Sequence, residues 1–549
     1  GNSSKNRIFH KIIPSERGVI YDRNSNILAE NTAKFEVITS LSALPQDKRE
    51  RDKILLNLAN DLGISPFQFF DALDGVKDYT EPILLVDDIP YDKAIKLMSQ
   101  ENKYPFIQLE TTYKRKYITD RIPSLSHILG YTGIISADEY EVNSGYRRFD
   151  QIGKQGLEAE YESELRGIYG EESIEVDAKG NLKRIISRHE PIDGQDLTLA
   201  LDINLQSYIE TILKEKLEQY NLNNASVVVM DPNNGDVLAL VSWPAFDAND
   251  FSGGIDSKKY NQLLNDERKP LFPRVYAGEF PSGSTIKPVH AAAALMDGVI
   301  TTSTSFLSTG GIRIGIWFFP DWKSGGHGLT NVYWAIADSV NTFFYIIGGG
   351  YKDFQGLGID KMMSYDSLFG FGKKTGIDLP GEADGFLPSP KWKMETKNER
   401  WYIGDTYHVA IGQGDLLVTP LQITVATSVF ANNGYLVRPR LNLNREIKKT
   451  KIVDEEITKI IRDAMRLTVT AGSAQMLQDL PVEVAGKTGT AQWSTKYPPH
   501  SWFTGFAPVE NPSLVITVLI ENGGNDYLAV PITRDILNWY FSEYKPLTN

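Results

Sequence analysis

One stretch constrains the fold of this chain more than any other. Ala225 to Met230 and Val237 to Trp243 are apolar runs, and Asn233-Asn234-Gly235-Asp236 lies between them. An Asn-Gly pair flanked by apolar runs is a strong β-hairpin signal, because the turn needs residues that accept positive φ. Asp202 to Tyr220, just before it, has the periodicity of an amphipathic helix, with Asp202 as a suitable N-cap. Far downstream, Ser513 to Ile520 reads as a buried strand and Pro531 to Phe541 as a closing helix. Helix, hairpin, a long helical middle, strands and a final helix imply an α+β domain: an antiparallel sheet covered by helices, with an all-helical subdomain.

The residues before this region have a different texture. They are charged and mixed, with β-like runs at Gly18 to Tyr21 and Phe35 to Ile38 and helical patterns at Arg51 to Leu62 and Tyr91 to Met98. Asp22-Arg23-Asn24-Ser25-Asn26 reads as a hairpin turn, and helical periodicity returns at Gly156 to Leu165. Pro191-Ile192-Asp193-Gly194 is turn punctuation. The expected division is therefore an N-terminal module over 1–194 and the helix-covered sheet over 195–549.

Composition narrows the function classes. With 549 residues, 41% hydrophobic and 23% charged, the chain is globular and large enough for several domains. Lys+Arg 57 against Asp+Glu 70 gives a net charge of −13, which argues against a nucleic-acid partner. The Cys count of 0 excludes disulfides, thiolate nucleophiles and Cys-based zinc sites. The 7 His residues include no His-Glu-x-x-His. No apolar run reaches the roughly 18 residues of a transmembrane helix, and the opening Gly1-Asn2-Ser3-Ser4 begins no signal peptide.

Three short motifs carry chemistry. In Phe280-Pro281-Ser282-Gly283-Ser284-Thr285-Ile286-Lys287-Pro288, a Pro/Gly turn delivers Ser284 to the start of an Ala-rich helix, His290 to Met296, with Lys287 one turn on. A serine hydroxyl needs an adjacent base, and a lysine serves if burial or a second cation lowers its pKa. Helix N-terminal N–H groups favour a developing oxyanion. Ser339-Val340-Asn341 lies within Trp334 to Ile347, which reads as helix or helix edge; its hydroxyl suits proton relay and its amide suits a substrate amide. Ala485-Gly486-Lys487-Thr488-Gly489-Thr490-Ala491 enters a β-like segment. There Gly489 permits close backbone approach, and Lys487, Thr488 and Thr490 offer a cation and two hydroxyls to a carboxylate. Each motif alone has a bland alternative: an N-cap serine, an exposed polar turn, a Gly-containing strand end. Lys374-Thr375-Gly376 is rejected because turn and acidic residues follow it, and a Walker A reading fails because position 481 is Pro.

In the order Ser-x-x-Lys, Ser-x-Asn, Lys-Thr-Gly, the motifs form the set of the penicillin-recognising serine acyl-transferases. The chain resembles the class B penicillin-binding proteins of the rod-elongation type along nearly its whole length. Arg17 to Asn24, His127 to Tyr131 and Gly153 to Glu158 resemble the family's N-terminal boxes. Phe369 to Gly372, Thr375 to Glu382, Ile411 to Gly414, Val418 to Gln422 and Gly326-His327-Gly328 favour the elongation type over the division type.

The resemblance implies a peptidoglycan D,D-transpeptidase, inhibited by β-lactams, that cross-links stem peptides of lipid-linked nascent glycan outside the cytoplasmic membrane. It implies one N-terminal membrane helix ahead of Gly1. It also implies a non-catalytic pedestal that docks a glycan polymerase of the shape, elongation, division and sporulation type and a rod-shape scaffold protein. Ser284 would be the nucleophile and Lys287 the base, its pKa lowered by the field of Lys487. Ser339 would return the proton, and Asn341 would hold the acyl-side amide. Thr488, Gly489 and Thr490 would bind the terminal carboxylate, and the backbone N–H groups of Ser284 and Thr490 would form the oxyanion hole. Some relatives bind zinc through a Cys at the position held in this chain by Val340; with only Asp321 and His327 left, no metal and no other cofactor is expected. Position 341 is Asn where close relatives often carry Asp. A D,D-carboxypeptidase or β-lactamase-like hydrolase uses the same motifs, and a non-catalytic penicillin sensor or scaffold is the rival from outside the enzymes. His327, His408 and His500 read as structural, and Trp502 and Phe503 as core or groove wall.

Overall fold

A computed structural model describes residues 6–100, 103–177, 182–525 and 527–545. The opening Gly1-Asn2-Ser3-Ser4 lies outside these described residues.

The C-terminal region is built on a five-stranded antiparallel sheet. Its strands are β1 (Ala225–Met230), β2 (Val237–Trp243), β3 (Ala485–Ala491), β4 (His500–Ala507) and β5 (Leu514–Ile520), in the spatial order β2-β1-β5-β4-β3. The expected hairpin is β1–β2, with Gly235 at φ 84° in its turn. Side chains alternate between two cores, as the strand period of two requires. Leu514, Ile516, Val518 and Ile520 of β5 face α1 (Ile203–Gln219) and a C-terminal helix (Ala529–Asn538), whereas Val515 and Leu519 face the opposite core. That opposite core contains α2 (Lys287–Met296), α3 (Asn341–Gly349), α4 (Pro420–Ala431) and α5 (Glu455–Thr470). Every residue of α4 is buried, so it is a core helix rather than an amphipathic one. Its start is fixed by a Thr419/Gln422 capping box followed by Pro420. The Asp202 N-cap forms as expected, accepting from the N–H groups of Asn204 and Leu205.

The N-terminal region holds two sheets. Arg7–Ile13, Gly170–Val176 and Leu182–His189 form a three-stranded antiparallel sheet. Ile27–Thr39 is the centre of a second sheet, flanked by Ile20–Tyr21, Ile83–Ile89 and Gln108–Tyr117. Leu197–Thr198, beyond the turn at Pro191 to Gly194, pairs in parallel with Ile20–Tyr21. The Asp22 turn forms, its carboxylate accepting from the N–H groups of Asn24 and Asn26. The same carboxylate accepts from Ile203 N, so one side chain caps the N-terminal hairpin and meets the first turn of α1.

Three expected elements differ in detail. The helix over Gly156 to Leu165 is two helices, Gly156–Glu160 and Glu162–Arg166, broken at Tyr161, whose hydroxyl reaches Asp378 at 2.7 Å. The helical pattern over Trp334 to Ile347 is also split. Val332–Ala337 ends, Ser339 adopts φ 54°, and α3 begins at Asn341. The closing helix runs Ala529–Asn538 and then widens to a π-helical turn over Trp539–Tyr544. Aromatic stacking of Trp539 on Tyr208 and Tyr544 accompanies that widening.

Candidate active site

Among the described residues the edge strand β3 pairs only with β4, which leaves its other edge open. Against that edge lies a one-turn 3-10 segment, Gly283–Ile286, that leads into α2. Gly489 makes the approach possible. A Cβ there would stand 3.0 Å from Thr285 Cγ2 and 3.2 Å from Thr285 N. Ser284 is thus delivered at a helix entry, as expected, but in a tight turn that precedes α2 rather than in its first turn.

Lys287 opens α2 and is fully buried. Its ammonium donates to the Ser339 hydroxyl at 3.0 Å, the Ser339 carbonyl at 3.1 Å and Asn341 Oδ1 at 2.6 Å. Ser284 is only partly buried, and among the described residues no hydrogen bond joins its hydroxyl to Lys287. The lysine therefore rests against the Ser339–Asn341 wall, with Phe344 beneath it at 5.2 Å. Burial pushes Lys287 down to about 7, partly offset by the charge of Asp321. Burial leads that shift, where the sequence reading looked to the field of Lys487. On Lys487, burial first, and then Lys287, lower the pKa well below its ordinary value, while Asp338 pulls it up. Two buried ammonium groups near each other disfavour double protonation.

The break at Ser339 serves this geometry. The turn between the two helices exposes a carbonyl and a hydroxyl to Lys287, which a continuous helix would direct along its own axis. Asp321 secures the far side. Its carboxylate accepts from Asn341 N at 2.6 Å, from Thr342 N at 3.2 Å, from Ser308 Oγ at 2.9 Å and from the Thr342 hydroxyl. It acts as the cap of α3, whose first N–H groups have no intrahelical partner. Trp322 closes the loop by donating its indole N–H to the carbonyls of Asp338 at 2.9 Å and Ser339 at 3.2 Å.

On β3, Lys487 is fully buried and donates to the Thr488 carbonyl at 2.8 Å. Thr488 is oriented by Ser473, the two hydroxyls lying 2.6 Å apart. The Thr490 carbonyl faces Gly283 and receives the Gln413 amide at 3.5 Å. An extended residue presents N–H and C=O to the same edge, so Thr490 N–H also points toward the Ser284 turn. Gly412, beside Gln413, accepts from Gly283 N at 3.0 Å. A Cβ on Gly412 would stand 1.9 Å from Gly283 O.

The motif residues singled out in sequence gather around the start of α2 and the open edge of β3: Ser284, Lys287, Ser339, Asn341, Lys487, Thr488, Gly489 and Thr490. The rejected Lys374-Thr375-Gly376 is a turn tied to Glu382. His500 accepts from Asn522 N at 3.0 Å and stacks on Trp493, and His408 lies against Phe319. His327 packs on Trp322. Trp502 and Phe503 are core residues. Sequence reasoning missed Ser473, noted Gln413 only within the Ile411 to Gly414 box, and considered Asp321 only as a metal ligand. An acidic residue, a serine or a glutamine distant in sequence carries no local signal of such a role.

Comparison with known proteins gives the family of the chain. The family profile of the penicillin binding protein transpeptidase domain matches residues 225–538, and that of the penicillin-binding protein dimerisation domain matches residues 12–199. The chain is 33% identical to peptidoglycan D,D-transpeptidase MrdA of Salmonella typhimurium, over 98% of this chain and 90% of that protein. Its fold is similar to penicillin-binding protein PBP2 of Helicobacter pylori in complex with MreC, with a TM-score of 0.84 at 28% identity, covering 98% of this chain and 100% of that one. It is also similar to a chain of a peptidoglycan synthase complex that coordinates polymerization and crosslinking, with a TM-score of 0.76 at 29% identity, covering 99% and 93%. In sequence along its length, and in fold, the chain belongs to the penicillin-binding protein family and is a peptidoglycan D,D-transpeptidase.

Proposed function

We propose that Ser284 is the nucleophile of a cell-elongation transpeptidase and Lys287 its base. The observation that carries this reading is a fully buried lysine, held 3.0 Å from Ser339 Oγ and 2.6 Å from Asn341, one turn beyond Ser284. With a pKa pushed down to about 7, Lys287 is substantially neutral at neutral pH and able to accept a proton. Ser284 Oγ attacks the carbonyl between the two terminal D-alanines of a donor stem peptide, and its proton passes to Lys287. The N–H groups of Ser284 and Thr490 stabilise the oxyanion. The C–N bond breaks, and the departing D-alanine amine takes a proton through Ser339. Thr488 and Thr490 bind the terminal carboxylate in the field of Lys487, and Asn341 holds the acyl-side amide. An amine from a neighbouring strand then attacks the ester, forms the cross-link and frees Ser284. A β-lactam enters the same way and stays as a stable acyl group.

The reading extends to the setting. The chain acts on the extracytoplasmic side of the membrane, held by a membrane anchor ahead of Gly1. Residues 1–194 form the pedestal and 195–549 the catalytic domain. The pedestal docks a rod-shape scaffold protein and a glycan polymerase of the shape, elongation, division and sporulation type. The relatives solved with MreC and within a synthase complex support that assignment. The direct assay supplies a pentapeptide donor with and without an amine acceptor. Cross-linked product with release of one D-alanine per bond is expected. Release of D-alanine with no cross-link, at any acceptor concentration, would instead favour the carboxypeptidase reading.

A further inference from the structure

Behind the nucleophile turn lies a buried polar pair that takes no part in the proton transfers of acylation. His290 is on α2, one turn past Lys287, and is completely buried, as is Asp366. His290 Nε2 lies 3.0 Å from Asp366 Oδ2, and Nδ1 lies 2.8 Å from the carbonyl oxygen of Ala410. Both partners are acceptors, so both ring nitrogens carry hydrogen in the charged pair. The charge and hydrogen bonds of Asp366 outweigh burial and hold the imidazole above its ordinary value. Such a pair in an apolar core is not a cheap source of stability, because desolvation offsets much of the attraction.

The position of the pair supplies a reason for it. Ala410 is the last residue of the helix Ile403–Ala410. The chain then turns through Gly412 and Gln413, the two residues that touch Gly283 and Thr490. One bond therefore ties α2 to the base of the loop that spaces the Ser284 turn from β3. We infer that His290, held by Asp366, is a positioning residue that fixes the Gly412–Gln413 loop and, through it, the separation of the Ser284 and Thr490 N–H groups. The inference rests on the proposed roles of Ser284 and Thr490. Oxyanion donors act only when held at the right distance, and small displacements are costly in rate.

The two ring nitrogens can be tested separately. The amide nitrogen of Asn takes the place of Nδ1, and that of Gln the place of Nε2. His290→Asn keeps a donor toward Ala410; His290→Gln keeps one toward Asp366 only. The dependence of labelling rate on fluorescent penicillin concentration separates binding from the limiting acylation rate. His290→Gln is expected to lower the limiting rate about tenfold or more with binding unchanged, while His290→Asn stays within about threefold of wild type. Equal losses in the two variants, wild-type rates in both, or a loss confined to binding would overturn the inference. If either variant fails to fold, the apolar pair His290→Phe/Asp366→Leu replaces it, since removing both members of a buried pair is tolerated better than removing one. That pair should acylate about tenfold slower, and a wild-type rate in it would overturn the inference. A Ser284→Ala control keeps the two readings apart. If Ser284→Ala still labels, the nucleophile assignment fails; if it does not, and His290→Gln acylates like wild type, only the positioning role fails.

Discussion

In the proposed mechanism, Lys287 is the residue on which the chemistry turns. Its ammonium is out of water, and its hydrogen-bond partners are one hydroxyl, one carbonyl and one amide oxygen rather than a carboxylate. Burial therefore costs the charged form more than these neutral acceptors return, and the pKa falls to about 7. If the neutral amine is the base, as proposed, the acylation rate should rise with pH through about 7. A flat profile across that range would contradict the role. Lys287→Ala should slow acylation by about 10²- to 10⁴-fold, the usual contribution of a positioned base, and near-normal labelling would demand another base. These residues were legible in sequence because the reaction needs a hydroxyl, an amine and an amide at short, fixed spacings. Their supports were not. Asp321, Ser473 and Gln413 meet the motif residues, and His290 meets Ala410, only in the folded chain, and their sequence neighbours do not announce those contacts.

At the scale of elements, the site depends on two departures from regular structure and one edge strand. The strands, the hairpin and the N-cap at Asp202 follow from local patterning, and the structure keeps them. The break at Ser339 does not follow, because the apolar periodicity runs on through Ala335 to Ile347 with no Gly or Pro before Gly348 to mark an end. What decides it is Asp321, which captures the N–H groups of Asn341 and Thr342 and starts a new helix. Asp321→Ala should destabilise the catalytic domain by about 1–3 kcal/mol, the cost of leaving buried donors unpaired, and should also slow acylation by loosening Asn341. Thermal unfolding and labelling rate check the two parts. The loop after Ile403–Ala410 is equally constrained. Gly412 sits at φ 79°, with Gly283 O where a Cβ would go. Gly412→Ala should force the Ser284 turn and β3 apart and cut the labelling rate, and a variant with normal labelling would show that this contact is not needed.

Across the whole molecule, the N-terminal and C-terminal regions are joined by polar side-chain contacts. Tyr161 reaches Asp378, which also accepts from Leu441 N and Asn442 N, and Glu210 accepts from Ser124 N. Within the pedestal, Glu158 is fully buried and accepts from Arg17, Arg115 and Tyr117. Burial raises its pKa, but the charges of Arg115 and Arg17 prevail and bring it down to about 2. A depressed carboxylate stabilises the fold above its ordinary range and loses that contribution as pH falls through about 2. Glu158→Gln should therefore cost about 3–5 kcal/mol at neutral pH, by stranding two arginines, and the gap to wild type should shrink toward pH 2. Chemical denaturation at several pH values reads it directly, and a gap that does not change with pH would contradict the assignment. The central claim, that Ser284 forms the acyl-enzyme, is tested most directly by intact-protein mass after mixing with penicillin. One adduct on the wild type and none on an equally folded Ser284→Ala is the expected result. An adduct on Ser284→Ala, or none on well-folded wild type with several β-lactams, would contradict it.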